Sequence, residues 1–280
     1  MSGPTVSPLR RGSLPLSGRI ALAAVIGLWA VAAISPFFAS RAREIRLDER
    51  LLPPSAAHPF GTDDLGRDLL ARVIAATPIS LAIGLVAAAV SLGIGFTVGA
   101  TAGFFGGAVD LVLSRVIEVV LCFPVLFLLL ALAAFLPPSP ATIVLAIGVT
   151  AWPGDARYAR AEVLRIRQLD YTRAATAAGA STPRILVRHV LPNALAPLIV
   201  SAAFGIGWAI LAEAALSFLG VGLPSPAVSW GGILAAAPTY IEEAWWLALF
   251  PGVALFVTVS AYNLLAEGLR AATMSQGSNP

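Results

Sequence analysis

Apolar residues run in long blocks along this chain, and most polar residues sit in the gaps between them. An α-helix needs about 20 apolar residues to cross a hydrocarbon core of roughly 30 Å. Six blocks reach or approach that length, at about 19–38, 79–102, 111–136, 141–156, 191–212 and 244–267. The fourth is short and runs into Trp152, Pro153 and Gly154. Arg10, Arg11 and Arg19 precede the first block as they would a signal peptide, but the block is too long for a signal core and no small-residue cleavage site follows it. The pattern predicts an all-α polytopic membrane protein with six transmembrane helices. Between the first two blocks, residues 61–73 mix charged and apolar positions, with Leu65, Leu69, Leu70 and Val73 at helical spacing. That predicts an amphipathic helix lying at the outer interface and leading into the second span.

Composition agrees with the pattern. Hydrophobic residues make up 58% of the chain and charged residues only 12%, where a soluble domain carries about 25%. A net charge of +3 gives no reason to expect nucleic-acid binding. All 18 basic residues are arginines, and their placement predicts orientation. With the N-terminus inside, Arg10, Arg11, Arg19, Arg115, Arg157, Arg160, Arg165, Arg167, Arg173, Arg184, Arg188 and Arg270 are cytoplasmic. Arg41, Arg43, Arg46, Arg50, Arg67 and Arg72 fall in the first outer loop, interleaved with Glu44, Asp48, Glu49, Asp63, Asp64 and Asp68. Both termini are therefore expected inside. The chain divides into a cytoplasmic tail (1–18), a first span (19–38), an outer loop with the amphipathic segment (39–78), a transmembrane core (79–272) and a cytoplasmic tail (273–280). Within the core, the polar segment 157–190 faces the cytoplasm.

That segment has a local reading of its own. Ala174, Ala175, Ala177 and Ala178 favour a helix, and Gly179 suits the position just past its end. Ser181 can cap a second short helix with Pro183 in its first turn, and Pro192 is placed to begin the next span. The product is a small-residue knob rimmed by Arg173, Arg184 and Arg188. Composition alone leaves two readings open: a surface that inserts into a cytoplasmic protein, or a positive loop whose arginines only set topology.

Elsewhere, Gly95, Gly99 and Gly103 form a stripe that permits close helix packing, with a pore-lining role as the alternative. Glu213, in the apolar stretch at the outer end of the fifth span, is either a pathway group or the partner of an outer-loop arginine such as Arg67. Arg115 and Glu118 are spaced for a helical ion pair, and Pro124 can kink the third span. Asp155 and Arg157 end the fourth span at the inner surface, while Trp245 and Trp246 read as outer-interface anchors. The single Cys122 lies in an apolar run and implies no disulfide framework. His58 and His189 fall on opposite sides of the membrane, and no Cys/His cluster has metal-ligand spacing. A P-loop needs G-x-x-x-x-G-K-[ST], so a chain without lysine contains none.

The segment Asp170–Asn193, DYTRAATAAGASTPRILVRHVLPN, resembles the signature loop of binding-protein-dependent ABC importer permeases. Their pattern is Glu-Ala-Ala, three residues, Gly, nine residues, Ile, one residue, Leu-Pro. Ala174, Ala175, Gly179, Leu191 and Pro192 match it, while Arg173 replaces the Glu and His189 the Ile. GTDDLGRDLLARV at Gly61–Val73, GFFGG at Gly103–Gly107 and AEAALSFLGVGLPSPAVSWGGIL at Ala212–Leu234 narrow the resemblance to the dipeptide/oligopeptide/nickel group. AWWLALFPG at Ala244–Gly252 and NLLAEGLR at Asn263–Arg270 extend it, so that it covers about 18–272 and is similar to the second permease subunit.

The resemblance implies a type I (MetI-like) permease in a bacterial plasma (inner) membrane, surrounded by lipid. It implies as partners a second homologous permease, two cytoplasmic ATPases that bind the ATP and Mg, and an extracytoplasmic binding protein. No cofactor is expected in this chain, which would not itself be an enzyme. Docking on the ATPases is assigned to Arg173, Ala174, Ala175, Gly179, Ala180, Ser181, His189, Leu191 and Pro192. Di- or oligopeptides are the expected cargo, with nickel or another small solute as the alternative. An ATP-independent secondary transporter is the remaining reading. It would show inverted repeats or mid-membrane acidic residues.

Overall fold

Proline, glycine and the capping residues decide where each apolar block starts and stops being helical. A computed structural model describes residues 14–224 and 226–274. Arg10, Arg11 and most of the tail 273–280 lie outside the described residues. The main helices are α1 (Leu16–Ile34), α2 (Leu69–Phe105), α3 (Gly107–Leu121), α4 (Val125–Phe135) and α5 (Pro140–Arg167). Two short helices follow, α6 (Asp170–Ala177) and α7 (Thr182–Ile185), and then α8 (Leu191–Phe218), α9 (Trp230–Leu234) and α10 (Trp246–Met274).

Among the described residues, four helices are long and apolar enough to cross a membrane alone, namely α1 with its 3-10 extension to Phe38, α2, α8 from Pro197, and α10. The pair α3–α4 makes a fifth if it is one span. The expected third span is thus interrupted: Pro124 sits at the N-cap of α4 and the two helices meet at 83°. The expected fourth span does not stop near residue 156. Its helix runs on to Arg167, and the second half carries Asp155, Arg157, Arg160, Glu162, Arg165 and Arg167, too polar to count as membrane core. The fifth block likewise continues to Phe218.

The second block differs most from expectation. Residues 61–68 are a tight turn rather than an amphipathic helix, and α2 begins at Leu69, where the Asp68 carboxylate accepts the Ala71 N–H at 2.8 Å. Its 37 residues span about 55 Å at 1.5 Å per residue. It packs most extensively along α5. The glycine stripe explains how: a Cβ on Gly99 would lie 2.2 Å from the Ala156 carbonyl oxygen, and one on Gly103 would lie 2.8 Å from that of Arg160. Packing within the chain is therefore what the stripe does. α8 lies against both α2 and α10, and α1 leans on α10 where Gly18 meets Gly268.

At the end opposite the arginine-rich loop, residues 39–68, 219–224 and 226–245 form a cap. Asp63 organises it, accepting the backbone N–H groups of Leu65 and Arg67 at 2.9 Å each, Arg67 Nε at 2.7 Å, and a hydrogen bond from Arg72. Arg72 is only 8% exposed, so this is a buried ion pair. Trp246 is also buried, with Nε1 donating to the Thr62 carbonyl at 3.0 Å. It locks the cap to α10 and is not an interface anchor, a role open only to the half-exposed Trp245.

Arg67 is thereby committed to Asp63, and the expected contact with Glu213 does not form. Glu213 is fully buried and accepts from Ser217 Oγ at 2.7 Å and Ser229 Oγ at 2.6 Å. Ser229 caps α9, whose Trp230 donates from Nε1 to the Val73 carbonyl at 3.0 Å. Glu213 thus ties α8 to α9, and through Trp230 to α2. The spacing of Arg115 and Glu118 does give the helical pair, at 2.6 Å.

Candidate coupling site

The polar segment folds as its composition predicts. α6 ends in a Schellman motif: the Gly179 N–H reaches the Thr176 carbonyl at 3.0 Å, and the Ala180 N–H reaches that of Ala175 at 3.1 Å. Gly179 has φ +80°, and nothing lies within 4 Å of where its Cβ would be. Glycine is required there by backbone conformation and not by crowding. Ser181 takes the N-cap position of α7 with Pro183 in the first turn, although its side chain makes no capping hydrogen bond. A single turn of π-helix, Leu186–Val190, then joins α7 to α8. Such turns are rare in helices and frequent at functional sites.

The structure divides the nine candidate residues by what they face. Arg173, Ala174, Gly179, Ser181 and Pro192 are exposed. Ala175 and His189 are half-buried, the latter with its ring 6.3 Å from that of Tyr171. Ala180 and Leu191 instead pack against the core beneath. The rim arginines Arg173, Arg184 and Arg188 are exposed and make no ion pair with a described residue. Sequence reasoning missed two further members of this surface, Tyr171 at 45% exposure and Val187 at 63%. Tyr171 stands three and four residues before Ala174 and Ala175, so helical spacing alone could have placed it on their face.

The knob rests on a rigid base. Ile185 and Val190 are buried among Phe104 of α2, Val163 and Ile166 of α5, and Ala194 and Leu198 of α8. Arg167 donates to the Gly103 carbonyl at 2.9 Å and lies over the Phe104 ring, 5.7 Å from its centroid. Arg160 holds Asp110 at the start of α3, with Nη2 2.7 Å from Oδ2. A force on the knob therefore has packed side chains and charge-assisted bonds through which to reach α2, α3, α5 and α8.

Farther along α5, a cavity of about 420 Å³ opens between α2, α5, α8 and the α3–α4 break. Asp155 lines it, accepting a hydrogen bond of 2.6 Å from Ser91 Oγ. The aspartate lies mid-helix on a cavity wall, where the charged half of α5 begins. Its signal in the sequence was a carboxylate one helical turn after the apolar Ala151.

Comparison with known proteins bears on this arrangement. The family described as "Binding-protein-dependent transport system inner membrane component" matches residues 95–273, which include the knob, its base and most of the cavity lining. A putative peptide transport system permease protein of Brucella suis biovar 1 (strain 1330) is 40% identical over 270 residues, covering 95% of this chain and 90% of its own. The probable D,D-dipeptide transport system permease protein DdpC of Escherichia coli (strain K12) is 41% identical over 237 residues, 84% and 80% of the two chains. Among solved structures, an inward-facing MetNI methionine ABC transporter chain is similar in fold, with a TM-score of 0.57 at 21% identity over 70% of this chain and 92% of that one.

Proposed function

Since this chain belongs to the family of binding-protein-dependent transport system inner membrane components, as a permease subunit of an ABC importer in a bacterial inner membrane, we propose that it imports di- or oligopeptides and that its knob is where cytoplasmic ATPases dock. The observation that carries the docking role is the exposed Ala/Gly knob closed by the Gly179 turn. A small rigid protrusion with a cationic rim fits a groove on a soluble partner, and the exposed Arg173, Arg184 and Arg188 supply charges for that groove to match. Peptide cargo is inferred from the names of the relatives.

In this reading two ATPases bind ATP and Mg, and this chain contributes no catalytic group. A second homologous permease completes the pathway, and an extracytoplasmic binding protein delivers cargo to the cap. Closure of the ATPase pair displaces the knob. Ile185, Val190 and the Arg167 contacts pass that displacement to α2, α5 and α8, which rock between inward- and outward-open states.

Affinity purification of the tagged chain from its native membrane in mild detergent tests the assembly. The expected result is recovery of a second permease and one or two P-loop ATPases. The Gly179→Asp variant should keep the permease and lose the ATPases. Recovery of the wild-type chain alone, still moving solute without ATP, would overturn the reading.

A further inference from the structure

The 420 Å³ cavity has a chemical character that the coupling role does not use. Its volume falls in the range of about 300–1,000 Å³ typical of small-molecule sites. The walls are mostly apolar, from Ala87, Ala151, Phe204 and Trp208 among others. Against that lining stands one carboxylate, Asp155, whose hydrogen bond from Ser91 is its single polar contact among the described residues. No described cation pairs with it. A carboxylate has about four acceptor sites, so most of its capacity is unspent.

Its position is also closely held. A Cβ on Gly95 would lie 2.5 Å from the Asp155 Cβ, so the bare glycine lets α5 approach α2 at this level. Ser91, one turn earlier on α2, then reaches the carboxylate. Asp155 lies fifteen residues into α5, about 22 Å from its start. A carboxylate that faces a mostly apolar cavity, with no described cation beside it, is the kind of convergent polar group by which such a cavity orients a ligand. On the α8 wall Trp208 offers an indole N–H with no hydrogen-bond partner among the described residues.

We propose that this cavity is a transit subsite in which Asp155, held by Ser91, receives the ammonium group of a small cargo with apolar side chains. Trp208 faces the same space as a donor for an acceptor group on that cargo. The proposal rests on the importer reading and names the part of the cargo that the permease itself engages.

The test uses the full transporter complex, without its binding protein, carrying Cys122→Ser and Ala151→Cys. Ala151 is one turn from Asp155 on the same wall. The rates of modification by a cationic and an anionic methanethiosulfonate reagent are compared. The cation should react faster, and adding Asp155→Asn should cut the rate ratio about tenfold, within the range by which a charged cleft concentrates counter-ions. Asp155→Glu, which keeps the charge, should preserve the ratio and so separates charge from misfolding. Alanyl-alanine should protect the cysteine and N-acetyl-alanyl-alanine should not. A ratio insensitive to Asp155→Asn, or equal protection by both dipeptides, would overturn the subsite. ATP-driven uptake is scored separately, with the wild-type complex and its binding protein added back: its absence there with the charge ratio intact would sink the importer reading and leave the carboxylate site standing.

Discussion

Gly179 and Asp63 show what single residues do here. At φ +80°, Gly179 occupies a region that costs an L-residue about 1–2 kcal/mol. Since nothing lies within 4 Å of its missing Cβ, Gly179→Ala should only strain the turn. We expect that variant to retain measurable uptake, and Gly179→Asp, which also adds a charge to the proposed docking surface, to abolish uptake while the protein still inserts. Equal uptake by Gly179→Asp and wild type in whole cells would remove the docking role. Asp63 acts through burial. Asp63→Ala strips the partner from Arg72, and an orphaned buried charge costs about 3–5 kcal/mol. Folded yield in detergent, read by size-exclusion chromatography, should fall sharply; an unchanged profile would show that water or another group satisfies Arg72. The two residues also differ in legibility. A glycine after an alanine run declares its turn locally, whereas Asp63 depends on Arg72 and Arg67 being brought to it by the cap, which no local pattern states. Of the two readings the sequence left for Glu213, pairing with Arg67 fails for that reason, and the carboxylate takes the two serines Ser217 and Ser229 instead.

At the scale of helices, the contact of α2 with α5 is the structural axis. Two glycines on α2 should respond in opposite ways. Gly93 has nothing within 4 Å of its missing Cβ, and Gly93→Ala should be neutral or slightly stabilising in a helix. Gly99→Ala would drive a methyl to 2.2 Å from the Ala156 carbonyl oxygen and force the helices apart, a strain of about 1–3 kcal/mol or more. Thermal unfolding of the purified complex should separate the two variants; coincident curves would mean that α5 slides freely along α2. The stripe itself was readable from its four-residue spacing, but not which helix it met. Pro124 likewise announced a kink in the third span, while the 83° turn depends on how α4 packs against α5 and α8. The charged half of α5 was read as a loop boundary because apolar content stops there, although hydrogen bonding carries the helix on to Arg167.

For the whole molecule, hydrophobic blocks were enough to identify a polytopic helical membrane protein, because the bilayer imposes length and apolarity on each span. The knob was legible for a different reason: its turn and caps are local. What the blocks could not reveal was the cavity, since Ser91, Asp155 and Trp208 come from three helices and meet only when these pack. Nor could they locate the base under the knob, where Ile185 and Val190 join α2, α5 and α8. If ATPases dock on the knob as proposed, that base lets it act as a handle on the transmembrane helices, and ATP hydrolysis elsewhere moves this chain through it. The most direct test is uptake of a labelled dipeptide into proteoliposomes holding the co-purified complex and its binding protein, with ATP supplied on the ATPase side. Uptake should require ATP and should be lost with Gly179→Asp even when ATPases of normal activity are added back. Accumulation without ATP, or undiminished in that variant, would contradict the account.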